Sequence, residues 1–305
     1  MLIPKFWAKA NYNDQIAWGW SNISEKDALD RAFKRAKEAA SRFLSGESNR
    51  DKNEQYYFSA PFREEEITSS LIRDISESFK ITRNRYGALV LNSTDLMILD
   101  IDVEKPLEKR PSIIELLTGS LRKKNKLQLD QNESATYNRI INWINNNSNY
   151  LTRVYKTAAG YRVIILNFEF KPESSESIKI MDELGVDPLY KKLCEKQRCF
   201  RARLTPKPWR CGLSTPIALW QFDSKDQEKH YARWLEEYNR EIENFSTCKF
   251  LYSNRDTTNN KKNAEHDGAD DGASKVPSEE LQDALKTQIE LHDRLTRSLD
   301  DAVLA

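Results

Sequence analysis

The chain has 305 residues, room for one large domain or two small ones around a sizeable core, and is far too long for a disulfide-stapled miniprotein. With 39% hydrophobic, 10% aromatic and 31% charged residues but only 9 Gly and 10 Pro, it is neither collagen-like nor wholly disordered. The formal net charge of +1 hides an uneven distribution: residues 253–305 carry 7 Lys/Arg against 12 Asp/Glu, so residues 1–252 sit at +6, and residues 191–210 hold eight cations against Glu195 alone. Such clustering suits a polyanionic partner. Apolar runs such as 88–91 and 96–99 fall far short of the ~20 residues that span a bilayer. The start, Met1 to Trp7, lacks a signal-peptide core, so a cytoplasmic location is expected. Cys194, Cys199, Cys211 and Cys248 then read as reduced thiols.

In chain order, Lys5–Ala10 and Ile16–Trp20 alternate around Asn11 to Asp14 and predict a β-hairpin. A helix follows from the Ser24 N-cap, with an apolar face of Leu29, Ala32, Phe33, Ala36, Ala40, Phe43 and Leu44, until Gly46 stops it. Residues 45–55 read as a loop and Glu64–Phe79 as a second helix. The apolar runs Tyr86–Asn92 and Leu96–Val103 flank a Ser-Thr-Asp turn, which predicts a central hairpin. Helices are expected at Ser112–Thr118 and Glu133–Asn145, then a hairpin of Leu151–Thr157 with Tyr161–Phe170. Helices at Ser174–Leu184 and Asp187–Lys196, strands at Cys199–Leu204 and Pro216–Phe222, and a helix at Ser224–Phe245 complete the globular part. Residues 253–278, almost free of apolar side chains, predict a disordered linker. Beyond it Leu281, Leu285, Ile289, His292, Leu295 and Leu299 mark an amphipathic helix. Its stripe has two possible partners: the same chain, or another protein or second copy docking through 279–305.

The sharpest chemical feature is Asp100-Ile101-Asp102 at the end of an apolar strand. Positions i and i+2 share a face, so the two carboxylates converge as hard oxygen ligands suited to Mg²⁺ or Mn²⁺, or else form a solvated strand end. In Lys156-Thr157-Ala158-Ala159-Gly160-Tyr161-Arg162, small turn residues flanked by cations can cradle a phosphate, or can merely close the turn. Arg201 and Arg203 on one strand face, with Lys207 and Arg210 beyond, form either a phosphate clamp or surface ion pairs. Asp223 ends an apolar run, as a third carboxylate at the same edge or as part of a helix cap. The cysteine spacing argues against zinc, since Cys194 and Cys199 have no second close pair. His230, His266 and His292 read as surface residues away from this site.

This succession over residues 86–225, D-x-D, small-residue turn with a cation, basic strand and hydrophobic-Asp, resembles the catalytic core of the archaeo-eukaryotic primase superfamily, including primase-polymerases. The resemblance implies an α+β fold with an RRM-like, mixed or antiparallel sheet and flanking helices. It also implies Asp100, Asp102 and Asp223 as catalytic carboxylates, the first two holding Mg²⁺ or Mn²⁺. Nucleotides and nucleic acid would be bound by Lys156, Thr157, Gly160, Arg162, Arg201, Arg203, Lys207 and Arg210. Arg162 stands where that family carries a nucleotide-contacting histidine. On this view residues 1–85 pack on a core of residues 86–252, followed by the linker and the helix of residues 279–305. Two functions stay open: metal-dependent synthesis of DNA or RNA, and non-catalytic nucleic-acid binding in which the C-terminal helix docks a partner.

Overall fold

The computed structural model describes residues 1, 3–45, 63–67, 78–106, 120–217, 220–254 and 279–305, with backbone alone at 120–123 and 279–281. It is an α+β fold, with six α-helices among the described residues and mainly antiparallel sheets. The expected elements at Ser112–Thr118 and most of the 45–55 loop and 253–278 linker lie outside the described residues.

β1 (Phe6–Tyr12) and β2 (Gln15–Ser21) form the expected hairpin, turning through Asn13 and Asp14 at φ 47° and 59°. Positive φ at both central residues matches the right-handed twist of the flanking strands, and Asn and Asp tolerate it. α1 (Glu25–Leu44) starts at Ser24, whose side chain accepts from the Asp27 N–H. Its buried face keeps Ala32, Ala36 and Ala40 of the expected stripe and adds Ala28, whereas the large members Leu29, Phe33, Phe43 and Leu44 are exposed. Close approach explains this. A Cβ on Gly19 would lie 2.2 Å from the Ala28 carbonyl oxygen, so β2 meets α1 backbone to backbone and only alanine fits along the i, i+4 row beneath it.

Two four-stranded antiparallel sheets follow. The first runs β3 (Glu65–Glu66), β4 (Phe79–Arg83), β5 (Leu89–Ser93), β9 (Phe200–Arg203). The second runs β11 (Cys248–Ser253), β7 (Thr152–Thr157), β8 (Gly160–Ile165), β6 (Ile98–Asp102). Three sequence expectations are corrected here. The helix over Glu64–Phe79 is absent from its described ends, where β3 begins and Phe79 opens β4. Tyr86–Val103 is not a hairpin, because β5 pairs with β4 and β9 while β6 pairs with β8. The link between them is a buried crossover: the Asp95 carboxylate accepts from Ser93 Oγ at 2.8 Å and from Gln288 Nε2 at 2.9 Å. Among the described residues of 216–222 no strand forms, and Gln221 takes φ 66°.

The hairpin β7–β8 closes through Ala158 and Ala159 as expected. α2 (Ser120–Asn146) and α3 (Ser175–Leu184) cover one face of the second sheet, contributing Ile140, Trp143, Ile144, Ile180, Met181 and Leu184 to the core. α4 (Pro188–Gln197) leads to β9, and α5 (Lys225–Glu241) starts at the Ser224 cap. The opposite face of the sheet is covered by α6 (Glu279–Thr296), which buries Leu285, Ile289 and His292 against it while Leu299 stays exposed. The central strand β8 is buried at every position because helices cover both faces of the sheet. Backbone hydrogen bonds hold the tail in place: Thr247 N–H donates to Thr296 O, and β12 (Val303–Leu304) pairs with β10 (Phe245–Ser246). The C-terminal stripe is thus buried against its own chain. No helix among the described residues is long and apolar enough to cross a membrane.

Candidate functional site

β6 places Asp100 and Asp102 on one face, the face on which α6 lies. Directly opposite Asp100 in register is Arg162 on β8. Its guanidinium closes on the carboxylate from two nitrogens, Nε to Oδ1 at 2.6 Å and Nη2 to Oδ2 at 3.0 Å. The third nitrogen, Nη1, donates to the Arg203 carbonyl at 3.1 Å and meets His292 Nε2 at 3.0 Å. Arg162 is only 2% exposed. Burial alone would disfavour its charge, but Asp100 raises its pKa; in turn burial works against the Asp100 carboxylate and Arg162 holds it below the usual carboxylate range. The arginine expected to hold a triphosphate is therefore spent inside the protein, and fork-to-fork pairing of this kind is what guanidinium geometry favours.

His292 corrects a second expectation. Far from being a surface residue, it is fully buried on α6 and sits between two charged groups, with Nδ1 2.9 Å from Asp293 Oδ1 and Nε2 facing Arg162. Arginine can only donate, so Nε2 accepts and Nδ1 carries the proton given to Asp293. The Asp293 carboxylate also accepts from Tyr155 Oη at 2.8 Å and pairs with Arg153 at 2.9 Å. Burial lowers the His292 pKa, which Asp293 opposes and Arg162 reinforces. The sequence signal was present: this histidine stands within the apolar stripe and is followed by an acid.

The other candidates divide. Lys156 pairs with Glu133 at 3.0 Å, and the Thr157 hydroxyl accepts from the Gly160 N–H at 3.0 Å, closing the turn. Gly160 is required there because a Cβ would lie 2.1 Å from the Ile101 carbonyl oxygen on β6. Arg201 binds both oxygens of Glu64, at 2.7 and 2.6 Å, so it and Arg203 do not form a joint clamp. Asp223 accepts from Lys9 of β1 at 2.7 Å, just ahead of the Ser224 cap, and among the described residues before it no strand leads to the edge of β6. The four cysteines are free and buried. Trp18, on the hairpin, is covered by the Arg63 guanidinium 3.9 Å from its ring centroid.

Arg203, Lys207 and Arg210 remain at the D-x-D edge. Among the described residues no carboxylate stands within ion-pair distance of any of them. Lys207 is partly buried, and its pKa falls to about 8 through burial and then through repulsion from Arg203 and Arg210. Asp102 opposes that fall; its own pKa is raised, first by burial and then by Asp100 and Asp187. The edge thus brings these three cations beside two exposed carboxylates, Asp102 and Asp187.

A divalent cation fits this arrangement poorly. Asp100 has both oxygens committed to Arg162, and although Asp187 adds negative charge beside Asp102, Lys207 and Arg203 act on the same carboxylate and repel a cation. No group of three or more His, Cys, Asp or Glu among the described residues is arranged to hold a metal. No family model matches the chain, and neither a curated protein nor a solved structure matches it significantly.

Proposed function

We propose that the chain is a nucleic-acid-binding protein that engages the phosphate backbone through Arg203, Lys207 and Arg210, without metal and without nucleotidyl transfer. The observation that carries this reading is the bidentate Arg162–Asp100 pair. It converts the first carboxylate of the D-x-D motif into a counter-ion and leaves the neighbouring cations in excess. Cations lacking acidic partners are what a polyanion recruits, by releasing the counterions condensed on it.

The succession β6-α2-β7-β8-α3-α4-β9 is a β-α-β-β-α-β order, and β8 lies between β6 and β7, antiparallel to both. β9 runs beside the free edge of β6, bridged by Tyr190, whose hydroxyl donates to the Ile98 carbonyl at 2.6 Å and accepts from the Arg201 N–H at 3.1 Å. These features support an RRM-like core. Nucleotidyl transfer, the other reading, would require Asp100 to exchange Arg162 for a metal ion; the exposure of Asp102 is the feature in its favour.

Fluorescence anisotropy with a labelled oligonucleotide tests the proposal. Affinity is expected to fall linearly in log–log form with salt, and Lys207→Gln and Arg210→Gln are each expected to reduce that slope by about 1 while weakening binding to all sequences. A slope unchanged in both variants would refute the assignment of this edge.

A further inference from the structure

We propose that Trp209 is a base-stacking platform, so that the nucleic acid taken at this edge is single-stranded; this inference rests on the reading of the edge given above. Trp209 lies on the short 3-10 turn Pro208–Arg210, between two of the cations assigned to phosphate, and is 48% exposed. A single exposed tryptophan is unremarkable on its own. Here, however, it is held and flanked. The turn is tied by backbone bonds from Arg210 N–H to Lys207 O and from Cys211 and Leu213 N–H to Pro208 O. Tyr86 braces the indole edge-to-face, with ring centroids 5.1 Å apart and planes at 87°. Tyr86 is itself set by a tight turn in which its N–H donates to Asn84 Oδ1 and Gly87 takes φ +83°. The Lys207 ammonium stands 5.3 Å from the Trp209 ring centroid, and the Arg85 guanidinium 4.7 Å from that of Tyr86.

An indole held in one orientation loses little entropy when a base stacks on it, and the flanking cations meet the phosphates on either side of that base. Duplex bases are already stacked and offer this ring no face.

The test compares three probes: labelled oligothymidylate, an abasic oligonucleotide of the same length, and a duplex. Wild-type protein is expected to prefer the oligothymidylate to the abasic strand. Trp209→Ala is expected to lose roughly ten-fold in affinity for oligothymidylate, in the range typical of one stacked base, while binding the abasic strand and the duplex as before. Trp209→Phe is expected to recover most of the loss. If Trp209→Ala binds oligothymidylate as wild type does while Lys207→Gln weakens it, stacking is refuted and the electrostatic reading stands. If wild-type protein binds none of the probes, both fail.

Discussion

Asp100→Ala is expected to lower the unfolding free energy by about 3–5 kcal/mol, while Asp102→Ala changes it by about 0.5 kcal/mol or less. The contrast follows from what each carboxylate faces. Removing Asp100 leaves the Arg162 guanidinium, 2% exposed, with a backbone carbonyl and a neutral imidazole but no counter-charge. Stranding a buried ion in this way costs far more than the pair contributes. Asp102 is exposed and has a raised pKa, so little stability rests on its charge. Replacing both members of the pair, Asp100→Leu with Arg162→Met, is expected to recover most of the loss, because the desolvation of both charges disappears together. Urea denaturation of the four proteins checks this. Equal, small effects at the two aspartates would mean that Asp100 is not committed to Arg162.

Acidification is expected to destabilise the docking of α6 through His292. Facing it are Arg162 from β8, Asp100 from β6, Tyr155 from β7, Cys248 from β11 and, on its own helix, Asp293. Its pKa in the folded chain lies below the ordinary value of about 6.5, so below that pH the unfolded chain binds more protons than the folded one. Stability is therefore fully present above about pH 6.5 and declines as pH falls toward the folded-state pKa, with a limiting slope near 1.4 kcal/mol per unit. Chemically, protonation at Nε2 turns an acceptor for Arg162 into a second cation pointing at it. Asp100 and Asp293, whose pKa values are lowered, add their own losses only below the usual carboxylate range near 4. Denaturation between pH 7 and 5 should show the slope in wild-type protein. It should vanish in His292→Gln, whose amide can accept from Arg162 and donate to Asp293 without titrating; a slope that persists there would belong to another group.

Local patterning carried much of this fold. The first hairpin, the caps at Ser24 and Ser224, the β7–β8 hairpin and β9 all follow from side-chain periodicity and turn chemistry within a few residues. Long-range pairing was not legible in the same way. Leu96 to Val103 reads as the return strand of a hairpin because a polar Ser-Thr-Asp turn precedes it, yet that turn is a crossover fixed by Gln288 from almost the far end of the chain. On α1 the large apolar residues were assigned to the core, but the partner surface was a glycine in β2, which only alanine could approach.

The site shows the same limit. That Asp100 and Asp102 share a strand face could be read from their spacing alone. That Arg162 would neutralise one of them depended on the register of β6 with β8, and the part played by His292 depended on where a helix across a long linker would land. Arg201 reads with phosphate or a carboxylate as alternatives and Glu64 takes it, whereas Glu133, the partner of Lys156, lies too far along the chain to be read from the turn.

The central claim, that the edge of β6 binds nucleic acid as a metal-independent cationic rim, is tested most directly by one titration. A labelled primed template is mixed with the protein in chelator and in Mn²⁺ with nucleoside triphosphates present, and both affinity and primer length are read. The account predicts binding in chelator at least as tight as in Mn²⁺, where the divalent ion and the triphosphates compete for phosphate and protein cations, and no extension of the primer. Primer extension that requires Mn²⁺ and is lost in a folded Asp102→Ala protein would contradict it, and would mean that Asp100 leaves Arg162 to bind metal.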